Sequence, residues 1–373
     1  MAINIVQQPT YPNGTFTHLV YTISSSLSGQ PQYQYLMDVN QGGETLTRIK
    51  QFPNPSGVGI FDPSRILSDL VGYDNSWKIT AEYTPVLSYQ DFSINFGEEY
   101  GTSISSSVTV YDGNGNPGNP AVTGTTTSVF PGTVDPNNGS SYNFVSSSIA
   151  LSDVPTTGQY IGGEDYYTMA FMNTGSSDLD VTVDYNPGAA YTYTIPADGA
   201  IRSIPISGKN IGISGWSEAI VTYNGTQWEF DLAEECNYDR VRFAFINDYG
   251  FWDYYAFNLP VSKVTTINRQ SLRRPQVNYS STISQYSSTK RGTDYYSTQY
   301  VDNIAVTTPF VDQTEADWLR QMIESPNVFI QEDDVFKPIV ITNASFTHNT
   351  NKKSQKTYQI QISYQLANNR IGR

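Results

Sequence analysis

Cys236–Leu259 reads CNYDRVRFAFINDYGFWDYYAFNL, and the fold is decided there. Val241, Phe243 and Phe245 recur at every second residue, the period at which strand side chains return to one face. Asn247-Asp248-Tyr249-Gly250 then supplies a turn, since Asn and Asp bond their own backbone and Gly accepts a positive φ. Trp252, Tyr254 and Tyr255 follow in a second strand and alternate over both of its faces. The stretch is the centre of a packed β-domain. It sets no nucleophile beside a base and no metal ligands at a usable spacing.

Composition points the same way. The 373 residues suffice for two or three domains, each with its own core. Charged residues make up only 15%, while Tyr and Gly contribute 28 each. Disordered chains have the opposite balance, and β-branched and aromatic side chains favour strands. A net charge of −14, from 35 acidic and 21 basic side chains, would repel a phosphate backbone, so nucleic acid is not an expected partner. The short basic groups Arg273-Arg274, Lys290-Arg291 and Lys352-Lys353 fit solvated edges or subunit contacts. Cys236 is the lone cysteine, which excludes an intrachain disulfide. The start, MAINIVQQPTYPNGTF, lacks the basic and apolar regions of a secretory signal. No apolar run approaches the ~18–20 residues that span a bilayer, so membrane insertion is not expected.

Turn formers divide the chain into four parts. Residues 1–100 are expected to form a β-sandwich of the immunoglobulin or fibronectin kind, with strands at Leu19–Ser24, Tyr33–Val39, Thr45–Lys50 and Lys78–Tyr83. One short helix interrupts them: Asp62 as N-cap, Pro63 at the first helical position, Ile66, Leu67 and Leu70 on one face, and Gly72 as its end. Residues 101–155 are rich in Gly, Ser and Thr and are expected to form a linker or projecting loop. Residues 156–262 form a second sandwich, with strands at Tyr166–Met172, Leu179–Tyr185, Ala190–Ile195, Ala219–Tyr223, Gln227–Leu232 and Arg240–Ile246. Asn224-Gly225 between two alternating runs is a hairpin signal. Residues 263–373 are α+β. Strands at Val264–Arg269 and Tyr300–Thr307 precede a helix capped by Thr314 with Asp317, which buries Trp318, Leu319, Met322 and Ile323 and stops at Pro326. Strands at Val328–Ile330, Pro338–Thr342 and Thr357–Leu366 follow. The last places Tyr358, Ile360, Ile362, Tyr364 and Leu366 inward. The fold class is therefore mainly β: tandem β-sandwich domains with a C-terminal α+β domain.

Candidate chemistry is sparse. His18 and His348 lack a second ligand at metal spacing, and no GxSxG elbow exists. Cys236 fits a buried thiol. The glycines around Gly113, Gly115 and Gly118 have no Lys-Ser/Thr and no βαβ context, so they do not make a phosphate loop. The carboxylate pairs Glu98-Glu99, Glu164-Asp165, Glu234-Glu235 and Glu332-Asp333-Asp334 are adjacent in sequence, which in a strand sends them to opposite faces. Solvated turns are the expectation for all of them. The acidic triplet lacks EF-hand spacing. No catalytic residue, cofactor or metal is expected. Trp252, Tyr254, Tyr255 and Trp318 are candidates for a subunit interface, where Tyr and Trp are enriched.

Three places carry a resemblance. IVQQP leads to QPQYQYLMDV and FPNPSGVGIFDPSRIL; CNYDRVRFAFINDYGFWDYYAF lies in the middle; EADWLRQMIESPNVFI, KPIVITNASF and a Gln/Tyr strand ending in ANN close the chain. In this order they resemble virion structural proteins of tailed phages, especially phages of Bacteroidota. The resemblance implies a tail, baseplate or neck part and no enzyme. Its partners would be copies of itself and other virion proteins. It implies location in the virion after synthesis without a signal peptide. A receptor- or glycan-binding spike or fibre facing host-surface glycan, or a capsid-decorating protein, fits the same composition.

Overall fold

The computed structural model describes residues 3–9, 13–15, 18–71, 78–82, 90–101, 109–111, 122–130, 148–198, 200–233, 240–274, 276–278, 282, 285–286, 288–289, 291–352 and 355–367. Strands dominate, and three helices accompany them among these residues: α1 (Ser64–Leu70), α2 (Gly208–Ile211) and α3 (Gln313–Glu324). The mainly-β class follows directly. The chain divides into two compact units, the first of Met1–Ala233 with Ile246–Asp253 and the second of Glu234–Phe245 with Tyr254–Arg373.

The first unit begins with two sheets that share one core. Ile3–Gln7, Tyr21–Ser25 and Val58–Phe61 form a three-stranded sheet, and Gln34–Gln41 pairs between Glu44–Gln51 and Gln90–Tyr100 in a larger one. Tyr21, Ile23 and Phe61 from one sheet meet Tyr35, Met37, Val39, Phe92, Ile94 and Phe96 from the other. The alternation of these residues is what turns them all to one side. The rings of Tyr21 and Phe61 lie 5.5 and 6.0 Å from that of Phe96.

Four expectations change here. Residues 78–82 form a bend and not a strand, and Tyr83 lies outside the described residues, as does Gly72. Pro63, expected as first helical residue, occupies the cap position of α1. Asp62 acts from one residue further out, accepting from the backbone N–H of Ser64 at 3.1 Å and of Leu19 at 3.0 Å. Leu67 is buried as expected and Ile66 is half-buried, but Leu70, the last residue of the helix, is exposed. Within the expected 101–155 linker, Thr109–Tyr111 and Val122–Phe130 pair with Gln90–Tyr100. VTGTTTSVF is β-branched at most positions, and that preference outweighs its glycine-rich surroundings. The remainder of 102–147 lies outside the described residues.

The second half of the first unit sets a three-stranded sheet, with Thr168–Met172 in its middle, against a five-stranded one. In the latter Val181, Val183, Tyr185, Ala219, Val221, Tyr223, Trp228 and Phe230 are buried. Phe171 meets Tyr223 and Trp228 with ring centroids 5.1 and 6.2 Å apart. The hydroxyls of Tyr223 and Tyr185 donate to the carbonyls of Met172 (2.8 Å) and Ile206 (2.6 Å), so neither buried ring leaves its polar end unbonded. Burial pushes the Tyr223 hydroxyl up to about 12 and raises that of Tyr185 as well. Asn224 and Gly225 adopt φ of 46° and 81°, the left-handed turn that the hairpin Tyr223↔Thr226 requires.

The second unit holds most of a seven-stranded sheet ordered Trp252–Phe257, Val241–Ile246, Val328–Glu332, Val335–Lys352, Gln355–Leu366, Thr293–Thr307 and Ser262–Arg273, of which Ile246, Trp252 and Asp253 fall in the first unit. Val241–Ile246, grouped from sequence with the second sandwich, is paired here with Val328–Glu332. Its alternating aromatics are what the C-terminal sheet needs for a core. Phe243 lies 4.9 Å from Phe257 and 5.2 Å from Tyr364, and Phe245 lies 5.8 Å from Trp318 of α3. The cap of α3 is Asp312, whose carboxylate accepts from the N–H of Glu315 at 2.8 Å, and not Thr314, which is exposed inside the helix. Asp is the stronger cap, and Pro326 still lies just past the end. Ile360, Ile362 and Tyr364 are buried and Tyr358 is half-buried, but Leu366 is exposed at the strand's end.

Candidate functional site

Two surfaces stand out, one in each unit. In the first, Asp38, Asn40, Ser93 and Asn95 line the outer side of the large sheet, opposite the apolar core, because they alternate with Met37, Val39, Phe92 and Ile94. Asp38 stands across from Arg48 and accepts both guanidinium bonds, at 2.6 and 2.7 Å. That bidentate bond holds the Arg48 guanidinium above its ordinary pKa. Thr45 donates to Asn40 at 2.6 Å, and Asn40 to the Ser93 carbonyl at 3.3 Å. These residues, with Gly42 and Gly43 of the hairpin, line a polar groove of 430 Å³.

Next to it stand Glu98 and Glu99, which are not in a solvated turn as expected. Both are buried in Gln90–Tyr100. Glu98 points into the core and accepts from Ser25 Oγ and Tyr33 Oη, each at 2.7 Å. Burial and this carboxylate raise the Tyr33 hydroxyl far above its usual value. Glu99 points the other way and pairs with Lys50 at 2.6 Å. The two acids thus serve separate faces and do not make a catalytic pair. Glu164 pairs with Lys209 in an exposed contact, and Glu332 with Lys337 beside the Asp333-Asp334 turn, as expected of solvated acids. Glu234-Glu235 and Cys236 lie outside the described residues, and of His348 only the strand position is described.

His18 donates to Asp62 at 2.5 Å. The Asp62 carboxyl sits below its ordinary value: burial pushes it up, but bonds from Ser64, His18 and Leu19 outweigh burial. Among the described residues no group of three or more His, Cys, Asp or Glu is placed to share a metal ion.

The four aromatic residues chosen from sequence do not present open rings. Tyr254, Tyr255 and Trp318 are 2%, 9% and 1% exposed, and Trp252 is half-buried. Tyr255 packs 5.0 Å from Phe257 and 6.0 Å from Trp318, centroid to centroid. Tyr254 and Tyr255, on opposite faces of Trp252–Phe257, are core, and so is Trp318 on α3.

The open surface lies at the other end of that sheet. Ser262–Arg273 and Thr293–Thr307 pair over their length as a two-stranded ribbon. Every residue of Ser262–Arg273 is exposed, although the strand carries Val264, Ile267 and Leu272. It is the last strand of its sheet among the described residues, so one row of its backbone groups has no strand partner. Tyr295 and Tyr296 are exposed on the facing strand, at 54% and 69%. The composition signal for this surface was present, in Arg273-Arg274 and Lys290-Arg291, but the sequence marked no apolar excess there.

No protein-family profile and no curated protein sequence matches the chain. Among solved structures, a mutant of Salmonella alpha-2-macroglobulin aligns over all of this chain at 9% identity with a TM-score of 0.18. The chain spans 27% of that protein's length, and a likeness this slight carries no argument. No helix among the described residues is long and apolar enough to cross a membrane.

Proposed function

We propose that this chain is a structural component of a bacteriophage virion, a tail, baseplate or neck part that forms a symmetric homo-oligomer and docks other tail proteins. Its work is contact and shape, and no bond-making step belongs to it. The observation that carries this reading is the ribbon. A twelve-residue edge strand exposed throughout, with Val264, Ile267 and Leu272 set among Lys263, Arg269 and Arg273, offers apolar and charged groups to a neighbour while its charges guard against indiscriminate strand pairing. An assembly covers such a surface with a neighbour. The motif order that resembles tailed-phage virion proteins supports the same reading. Sedimentation velocity tests it: a discrete oligomer with closed symmetry is expected. A monomer at all concentrations, in a chain that is also missing from purified particles, would remove it.

A receptor- or glycan-binding spike or fibre is the second reading, and the polar groove favours it. Asp38, Asn40, Asn95 and Arg48 offer convergent hydrogen-bonding groups of the kind that orient a hydroxyl-rich ligand. A glycan-array signal abolished by Asp38→Ala would support that reading, and a blank array would dismiss it.

A further inference from the structure

The ribbon is chemically unlike the rest of the chain. Residues 262–307 hold six basic side chains (Lys263, Arg269, Arg273, Arg274, Lys290, Arg291) and two acidic ones (Asp294, Asp302), a net +4. The chain as a whole carries −14, so everything outside that segment sums to −18. The positive charge is also sided. Lys263, Ile267, Arg269 and Arg273 occupy odd positions of an unbulged strand and share one face, where Tyr300 stands opposite Ile267. The Arg269 guanidinium lies 5.2 Å from the centre of the Tyr295 ring. Lys263 is matched by Asp302 at 2.8 Å and Arg274 by Asp294 at 3.0 Å, which leaves the Arg269–Arg273 end the more strongly positive.

A complementary surface exists on the same chain, in the first unit. The five-stranded sheet buries one face, and its other face carries Asp180, Asp184, Glu218, Glu229 and Asp231. Strand pairing brings four of them into two groups: Ile220 stands between Asp184 and Glu229, and Glu218 faces Asp231. None of the five strands contains a lysine or arginine. Arg269 and Arg273 are four residues apart, as are Asp180 and Asp184, and each pair spans about 13 Å along its strand.

We propose that the Arg269–Arg273 face of the ribbon docks on the acidic outer face of this sheet in a second copy of the chain. The inference rests on the assembly reading above and names the surfaces that make the contact. Because two different surfaces meet, the contact is head-to-tail and closes into a ring when the rotation allows. The exposed Ile267, Tyr295 and Tyr300 contribute apolar burial beside the charges, while the charges select partner and register. The acids gain their basic partners when the neighbour arrives.

The test uses the full chain in sedimentation velocity at roughly 50 and 500 mM NaCl, since screening weakens exposed charge pairs. Two double variants are compared with the unmodified protein: Arg269→Glu with Arg273→Glu, and Asp184→Lys with Glu229→Lys. Each alone should weaken association by about tenfold or more, the scale of close charge pairs across an interface. An equimolar mixture of the two should restore it, because each contact then again joins opposite charges. All four sites are exposed, so circular dichroism and thermal unfolding should match the parent protein. If a reversed variant misfolds, Arg269→Gln with Arg273→Gln reads the same contact without reversal. Association unchanged in both double variants, or no recovery on mixing, overturns the inference while leaving an oligomer built through another surface. Loss of duplex-DNA or anionic-glycan binding in the ribbon variant, with unchanged mass, overturns it in favour of a polyanion. Failure of the virion reading itself is read separately, by absence of the chain from particles.

Discussion

Replacing Glu315 with Gln should stabilise the second unit above neutral pH and leave it unchanged near pH 4. Glu315 sits in the first turn of α3, near the Asp312 cap and within hydrogen-bonding reach of the Tyr255 hydroxyl. Burial, with the Asp312 charge behind it, pushes its carboxyl from 4.5 up to about 7, and the bond from Tyr255 only partly opposes this. The sign follows from where each state holds its proton. Below 4.5 folded and unfolded chains are both protonated and the site contributes nothing. Between 4.5 and 7 the unfolded chain ionises while the folded one keeps its proton, so stability falls as pH rises. Above 7 the whole penalty is present, ~3 kcal/mol, since each pH unit between the folded and unfolded pKa is worth about 1.4 kcal/mol. Partial exposure reduces this, and Gln forfeits the attraction of a carboxylate to the helix N-terminus, ~0.3–1 kcal/mol. The net gain expected for Glu315→Gln at pH 8 is about 1–2 kcal/mol. Urea unfolding of both proteins at pH 4 and pH 8 measures it. Equal differences at the two pH values, or a loss at pH 8, would refute the reasoning.

Asn247→Ala should cost about 2–4 kcal/mol in the first unit, because three bonds at 2.9, 3.0 and 3.0 Å tie its side chain to the backbone of Leu151, Tyr249 and Phe251, all buried. Urea unfolding reads that loss, and a change under about 0.5 kcal/mol, the scale of a surface substitution, would contradict it. Trp318→Ala should lower the stability of the second unit by about 3–5 kcal/mol, the usual cost of emptying a buried aromatic site. An intact fold with altered oligomeric mass would instead return Trp318 to an interface role.

Much of the strand pattern was legible because the chain writes it locally. Ala190–Ile195 matches its predicted bounds, and Asn224-Gly225 makes its hairpin since only φ-permissive residues fit that turn. Thr357–Leu366 was found from its alternation, but alternation records faces and not coverage, so Leu366 at the strand's end was misplaced. Asp312 was missed because Thr314 also has capping chemistry, and only backbone geometry chooses between them. The fate of Glu98 and Glu99 was out of reach, since their partners Ser25, Tyr33 and Lys50 come from 49 to 73 residues away. The aromatic density of Trp252, Tyr254 and Tyr255 was read as a partial interface, yet it is what a strand covered on both faces requires. The ribbon showed itself as parts of its two strands, Val264–Arg269 and Tyr300–Thr307, and as basic pairs, but not as an open surface. Its exposure depends on where the sheet ends, which no local pattern records.

Electron microscopy of purified phage particles, with this chain carrying a small gold-binding tag, addresses the assignment at its root. Gold at a fixed height on the tail, baseplate or neck, in a symmetric set of positions, is the predicted image. Intact particles bearing no gold, while the tagged chain remains free in the lysate, would contradict it.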